Sequence, residues 1–270
     1  MKYFHLKNIS FAPEYEEYFF SPFKIIKGDG ILEEINKIIL TPQEAVLIAD
    51  SYVMKTYGNQ ISNKISRFIF KEEVCPSEIY RIRKIISENG AKQVIAMGGG
   101  KTMDIAKIMK NEFKNIKLIL IPTSCATCAA FTAVSVIYNE NHSYMDNIDV
   151  PTADYLLIDY DIFNKLPVTF FAAGAVDTLA KYYEIMAFRK YEKKLRLMDD
   201  AVYETAKFLY KRLKSILAKK RIKADEFVKR EITDINIVLS GMVSTLGRYS
   251  VTSSVAHVIS YAMTAIPAAR

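Results

Sequence analysis

Cysteine is scarce in this chain: Cys75, Cys125 and Cys128 are the only three among 270 residues. So small and odd a number excludes a disulfide scaffold, and a reducing compartment is the simpler expectation. Apolar residues make up 50% of the chain, yet no run of them approaches the roughly 20 needed to cross a bilayer. The opening stretch, MKYFHLKNISFAPEYEEYFF, lacks the basic segment, apolar run and small-residue cleavage site of an export signal. A cytoplasmic protein with no membrane partner is therefore expected. Internal repeats and low-complexity segments are absent too. The length suffices for one large domain or two ordinary ones, each with its own core.

Charge is tilted to the positive side, with a formal net charge of +7. Much of the excess lies in KLRLMDDAVYETAKFLYKRLKSILAKKRIKADEFVKREI, where basic residues alternate with apolar ones at helical spacing. That pattern is ordinarily a solvated helix face. Nucleic acid is not an expected partner, because no recognition motif, aromatic platform or zinc module accompanies the charge.

The first part of the chain alternates short apolar runs with helical periods. PFKIIKG, EAVLIAD, SRFIF, QVIAMG and IKLILIP read as strands. GILEEINKIIL, SYVMKTYGNQISNKI, PSEIYRIRKIISENG and KTMDIAKIMKN read as helices between them. Buried strands separated by helices predict a parallel, Rossmann-like α/β sheet covered on both faces, spanning residues 1–166. From 167 to 270 the periods turn helical: 168–189, about 193–220, about 224–247 and 252–266. An all-helical second domain is expected there.

Three stretches carry residues suited to chemistry. QVIAMGGGKTMDIAKIMK, residues 93–110, sets a glycine run between a strand and a helix, where bare N–H groups suit an anion. It is not a Walker A loop, since Ile95 stands where the first glycine is required, and Met103 occupies the third glycine place of the dinucleotide fingerprint. A phosphate cradle and a plain helix start with Asp104 near its first turn both remain open. IPTSCATCAAFTAVSVIY, residues 121–138, packs hydroxyls and thiols behind a strand, fit either for ribose and phosphate oxygens or for a self-satisfied turn. Its C-x-x-C lacks the context of a redox pair and the second pair of a zinc site. Asp177, in FAAGAVDTLAKYYEIMAFRK, is either an N-terminal helix partner or an oxygen ligand, and His257 is a lone histidine on an apolar helix.

Taken in order, these segments resemble the iron-containing alcohol dehydrogenase and glycerol dehydrogenase family, with its dehydroquinate synthase-like fold. GGGKTMDIAK is similar to the family's GGGK-x-x-D-x-AK, and IPTSCATCAAFTAVSVIY to its VPT-x-x-ST-D-A loop and following S-x-IY. GAVDTLAKYYE is similar to its G-x-GDAL-A-x-x-E helix, while NIVLSG and VAHVIS resemble its N-x-x-LSG and AHAIH helices. The resemblance implies an NAD-dependent enzyme that moves a hydride between an alcohol or polyol and NAD, assisted by zinc or ferrous iron. It implies Gly98, Gly99 and Lys101 at the pyrophosphate, Asp104 ordering the turn, and Thr123 and Thr127 against the nucleotide. Asp50 would face the adenosine ribose, favouring NAD over NADP. Asp177 and His257 would be metal ligands and carry the catalysis, in a chain that assembles as a homo-oligomer.

Two departures qualify this. Family glycerol dehydrogenases carry an aspartate where this chain has Cys128, which removes an acceptor for a polyol. The family's other metal histidine lies in an HGE motif that the chain does not reach before Arg270. A truncated form of a longer enzyme, with an open two-ligand site that binds metal weakly, is the expectation. A glycerol-1-phosphate dehydrogenase using Arg248, and a nucleotide-binding remnant without catalysis, are the alternatives.

Overall fold

The computed structural model describes residues 22, 24–39, 41–71, 73–192, 194–218, 225–247, 252 and 254–266. The described residues form eight strands: β1 Lys24–Gly28, β2 Ala45–Ala49, β3 Ser66–Ile69, β4 Gln93–Gly98, β5 Lys117–Pro122, β6 Val134–Tyr138, β7 Tyr144–Asp149 and β8 Tyr155–Asp159. Six of them form one sheet in the order β1-β8-β5-β4-β2-β3, every pair parallel. All residues of β2 and β4 are buried, as befits strands covered on both faces. Alternation then sorts their side chains into two cores. Val46, Ile48, Val94, Ala96, Leu118 and Leu120 join one, while Leu47, Ala49, Ile95, Met97, Ile119 and Ile121 join the other.

The helices are α1 Ser51–Tyr57, α2 Pro76–Glu88, α3 Gly100–Glu112, α4 Tyr160–Asn164, α5 Val168–Tyr191, α6 Leu197–Ala218, α7 Glu226–Asp234, α8 Ser240–Leu246 and α9 Val255–Met263. Among the described residues no strand follows Asp159. The expected α/β part and helical part are thus both seen. Helix α5 passes so close to the loop after β5 that a Cβ on Gly174 would lie 1.9 Å from the Cys125 carbonyl oxygen. Only glycine permits that approach.

Four details differ from the sequence reading. Ile31–Lys37 is a 3-10 helix instead of an α-helix, its start fixed by Asp159 Oδ2 accepting the Leu32 N–H at 2.8 Å. Helix α1 stops at Tyr57, where Gly58 and Asn59 lower helix propensity and a 3-10 turn takes over. The single helix expected over 224–247 is interrupted by a π-helical turn at Ile235–Leu239. Asn236 in that turn donates to the Cys125 and Phe171 carbonyls at 3.1 and 3.2 Å, fastening the turn to the loop and to α5. Finally, the antiparallel hairpin β6–β7 was not expected. Its strands are only half buried, so they carry no continuous apolar run.

Lys107 fastens that hairpin to α3. Its side chain is wholly buried, pairs with Asp104 at 3.1 Å, and donates to the carbonyls of Thr132, at 3.1 Å, and Val134. Asp104 in turn accepts the Val136 N–H at 3.3 Å. Removing one partner leaves an uncompensated charge in the interior. Lys107→Met is expected to lower the urea-unfolding free energy by about 3–5 kcal/mol, and Asp104→Leu added to it to recover most of that loss.

Candidate functional site

The order of the sheet reverses between β2 and β4. The chain runs from β2 outward to β3, then crosses back to β4 and continues to β5 and β8. In such sheets ligands lie beyond the carboxyl ends of the strands at the reversal. Gly98–Gly99–Gly100 sits there at the end of β4, and Asp50 directly follows β2, whose Ala49 pairs with Met97. The two lie side by side on one edge.

The three glycines differ in what surrounds them. A Cβ on Gly98 would lie 2.4 Å from Thr102 Oγ1, and one on Gly100 3.0 Å from Thr127 Oγ1. At Gly99 nothing lies within 4 Å, so the turn is open on that side in front of the first amides of α3. Thr123 donates its N–H to the Gly98 carbonyl at 2.8 Å, which ties the next loop to the same turn. Thr127 faces that turn through Gly100. The structure therefore gathers Asp50, Gly98, Gly99, Lys101, Thr123 and Thr127 about one edge of the sheet.

Their side chains hold some surprises. Asp50 caps α1, accepting the Val53 N–H at 2.8 Å. Lys101 reaches Glu73 Oε2 at 3.0 Å and lies 4.9 Å above the Tyr138 ring. The same Glu73 oxygen takes His142 Nδ1 at 2.7 Å, from a hairpin tip in which His142 has φ +66°. Asp104 is not in the first turn of α3, which has no acidic residue, and its carboxylate faces Lys107 and the hairpin instead of the glycines. Burial pushes that carboxyl up against the opposing pull of Lys107. Cys125 and Cys128 are free and buried, and burial pushes the Cys125 thiol up to about 12, away from the thiolate form. Arg248 lies outside the described residues.

A second group forms on the helices. Asp177 is ten residues into α5, so it is no helix-start partner. Its Oδ1 lies 3.3 Å from His257 Nε2 on α9, and its Oδ2 accepts from Lys181. Glu184, one turn beyond Lys181, takes His257 Nδ1 at 3.0 Å and accepts the Ala256 N–H at 2.9 Å. Lys181 and Glu184 were not singled out from the sequence. The signal was present, because charges at positions i, i+4 and i+7 of a mainly apolar helix share one face.

These groups set one another's protonation. Burial pushes the Asp177 carboxyl up, but Lys181 and His257 outweigh it and hold it down at about 2. Burial alone would lower His257, yet its hydrogen bonds and charge contacts with Asp177 and Glu184 raise it to about 9. Lys181 is likewise held above its ordinary value, against desolvation, by Cys128 and Asp177.

The fold and the two groups define a class: a parallel α/β sheet with an open glycine turn, joined to helices bearing a carboxylate and a histidine in contact. The family model for the iron-containing alcohol dehydrogenases matches residues 22–160, and the chain belongs to that family. It is 29% identical over 238 residues to the glycerol dehydrogenase of Thermotoga maritima, covering 82% of this chain and 64% of that protein. It is 34% identical over 149 residues to that of Citrobacter freundii, covering 52% of this chain and 40% of that one. The chain thus spans less than two thirds of the length of these relatives. The solved glycerol dehydrogenase of Schizosaccharomyces pombe superposes with a TM-score of 0.75 at 23% identity, over 96% of this chain and 68% of that one.

The sign of the His257 shift fixes a pH window. Its folded value near 9 exceeds the unfolded 6.5, so the charged contact with α5 is fully present below about pH 6.5 and lost as pH rises through about 9. In metal-free protein the His257 ring is expected to titrate near pH 9 by NMR. Glu184→Gln should move that midpoint down towards 6.5, and an unmoved midpoint would contradict the pairing.

Proposed function

We propose that the chain carries the working parts of an NAD-dependent, metal-assisted oxidoreductase that transfers a hydride between an alcohol or polyol and NAD. The observation that carries this reading is the pairing of two half-sites on one scaffold. One is an open turn at Gly99, and the other is Asp177 Oδ1 facing His257 Nε2.

The residues fit a dinucleotide. The space where a Gly99 side chain would stand lets a pyrophosphate approach the amides that open α3, whose helix dipole favours an anion. Lys101 adds positive charge nearby, Thr123 and Thr127 line the turn, and Asp50 at the end of β2 disfavours a 2′-phosphate, so that NAD is taken over NADP. Asp50 does this while capping α1.

The donor set also fits a divalent ion. Oxygen and imidazole nitrogen suit zinc or ferrous iron. His257 presents Nε2 while Glu184 holds Nδ1, the arrangement that fixes tautomer and ring orientation in metal-binding histidines. Among the described residues no group of three or more histidine, cysteine, aspartate and glutamate side chains is arranged around one point. Asp177 and His257 would be the ligands. When bound, the ion would supply a Lewis acid for the alcohol oxygen and the dinucleotide a hydride acceptor.

The chain's own residues do the rest. Asp177 and His257 set where the alcohol oxygen lies, Glu184 keeps the imidazole aimed at it, and the glycine turn fixes the dinucleotide at the sheet edge. We further propose residues 1–166 as the dinucleotide domain and 167–270 as the metal and substrate domain. A small alcohol is the partner this arrangement serves, in a homo-oligomer.

Gly99→Val tests the cradle cleanly, because the fold has room for the side chain and the pyrophosphate does not. NADH affinity, followed by fluorescence, is expected to fall at least tenfold with an unchanged melting temperature. Unaltered affinity in the folded variant would overturn the reading.

A further inference from the structure

Lys101 is the first side chain after the glycine turn, and its ammonium is already engaged. Its Nζ lies 3.0 Å from Glu73 Oε2 and 4.9 Å from the centre of the Tyr138 ring. Glu73 stands between β3 and α2, beyond the carboxyl end of the strand that pairs with β2. Its side chain is 8% exposed, whereas that of Lys101 is 45% exposed. The carboxylate is fixed by its surroundings: Oε1 accepts the Val74 N–H at 3.1 Å, and Oε2 also takes His142 Nδ1 at 2.7 Å. The hairpin clamps the same segment, since Tyr138 donates its N–H to the Val74 carbonyl at 2.9 Å and Glu140 accepts the Ser77 N–H at 2.9 Å. A buried, well-held carboxylate beside a turn built for an anion works against that anion unless it has another purpose.

We propose that Glu73 is a positioning residue that withholds the Lys101 charge from the dinucleotide. The ammonium is tied to a carboxylate and an aromatic ring, and the pyrophosphate is left to the amides of the glycine turn. A free ammonium at this place would form charge-assisted hydrogen bonds to a diphosphate. Paired with Glu73, its charge is offset, and a turn towards phosphate would leave a buried carboxylate without its cation. The result is a looser grip, which suits a cofactor that must leave after each hydride transfer. This inference rests on the reading that the glycine turn binds a dinucleotide.

NADH is titrated into the full chain and into its Glu73→Gln, Lys101→Met and doubly substituted variants, following the fluorescence of bound NADH. Glu73→Gln keeps the shape and the acceptor for Val74 while removing the charge. It is expected to tighten NADH binding about tenfold, the factor that one charge-assisted hydrogen bond supplies. The gain should vanish in the double variant, because it depends on the released ammonium. A merely structural role for Glu73 predicts a loss of affinity and no dependence on Lys101. Unchanged or weaker binding by Glu73→Gln, or a gain that persists without Lys101, would overturn the inference. Should Glu73→Gln fail to fold, Lys101→Met decides: a fall in NADH affinity of less than about fivefold agrees with a tethered lysine, and a larger fall overturns it. A wild type that does not bind NADH would instead remove the dinucleotide reading and this inference with it.

Discussion

Three charges on one face of α5 hold the second half-site together. Asp177, Lys181 and Glu184 stand on successive turns of a helix whose other positions are mainly apolar, and His257 closes the group from α9. Helix α9 buries none of its residues, and Val255, Val258 and Ile259 are each more than half exposed. Apolar burial therefore does little to dock it. Polar contacts do that work: Glu184 accepts the Ala256 N–H and His257 Nδ1, and Asp177 meets His257 Nε2. A cluster that loses any one of these charges is left with an unmatched one near the interior.

The hairpin β6–β7 ties this group to the edge that carries the glycine turn. Its tip offers His142 to Glu73, which also holds Lys101 beside the glycine turn. Beside the tip, Tyr144 stacks on Tyr261 of α9 with ring centroids 4.2 Å apart, and its N–H donates to Thr264 Oγ1 at 2.7 Å. The buried Lys107 and Asp104 fix the hairpin's first strand to α3. Lys101 lies over Tyr138 and α9 meets Tyr144, the pair that closes the tip of this small sheet, which gives the two halves a common frame.

Much of this architecture was legible because burial leaves a mark in sequence. AVLIA and QVIAMG are continuous apolar runs, and such runs are what a strand covered on both faces requires. The hairpin left no such mark, since its half-buried strands mix polar and apolar residues and follow a loop of small side chains. Helix ends proved least readable where the rule was local: Gly58 stopped α1, and a π turn at Asn236 broke a run whose helical period continues on both sides of it. At the site, Asp177 and His257 stood out singly and the structure brings them into contact. Lys181 and Glu184 passed unremarked because a charge on a helix is ordinarily solvated, and only packing shows that these two are not.

The central claim is that Asp177 and His257 share one divalent ion, and that α9 depends on this contact. Hydrogen–deuterium exchange of the amides of 255–263, measured at neutral pH with and without excess Zn2+, addresses it most directly. The account predicts slower exchange across α9 when Zn2+ is present, and no such change in Asp177→Asn. Exchange that ignores Zn2+ in the wild type, or protection that persists in Asp177→Asn, would contradict it.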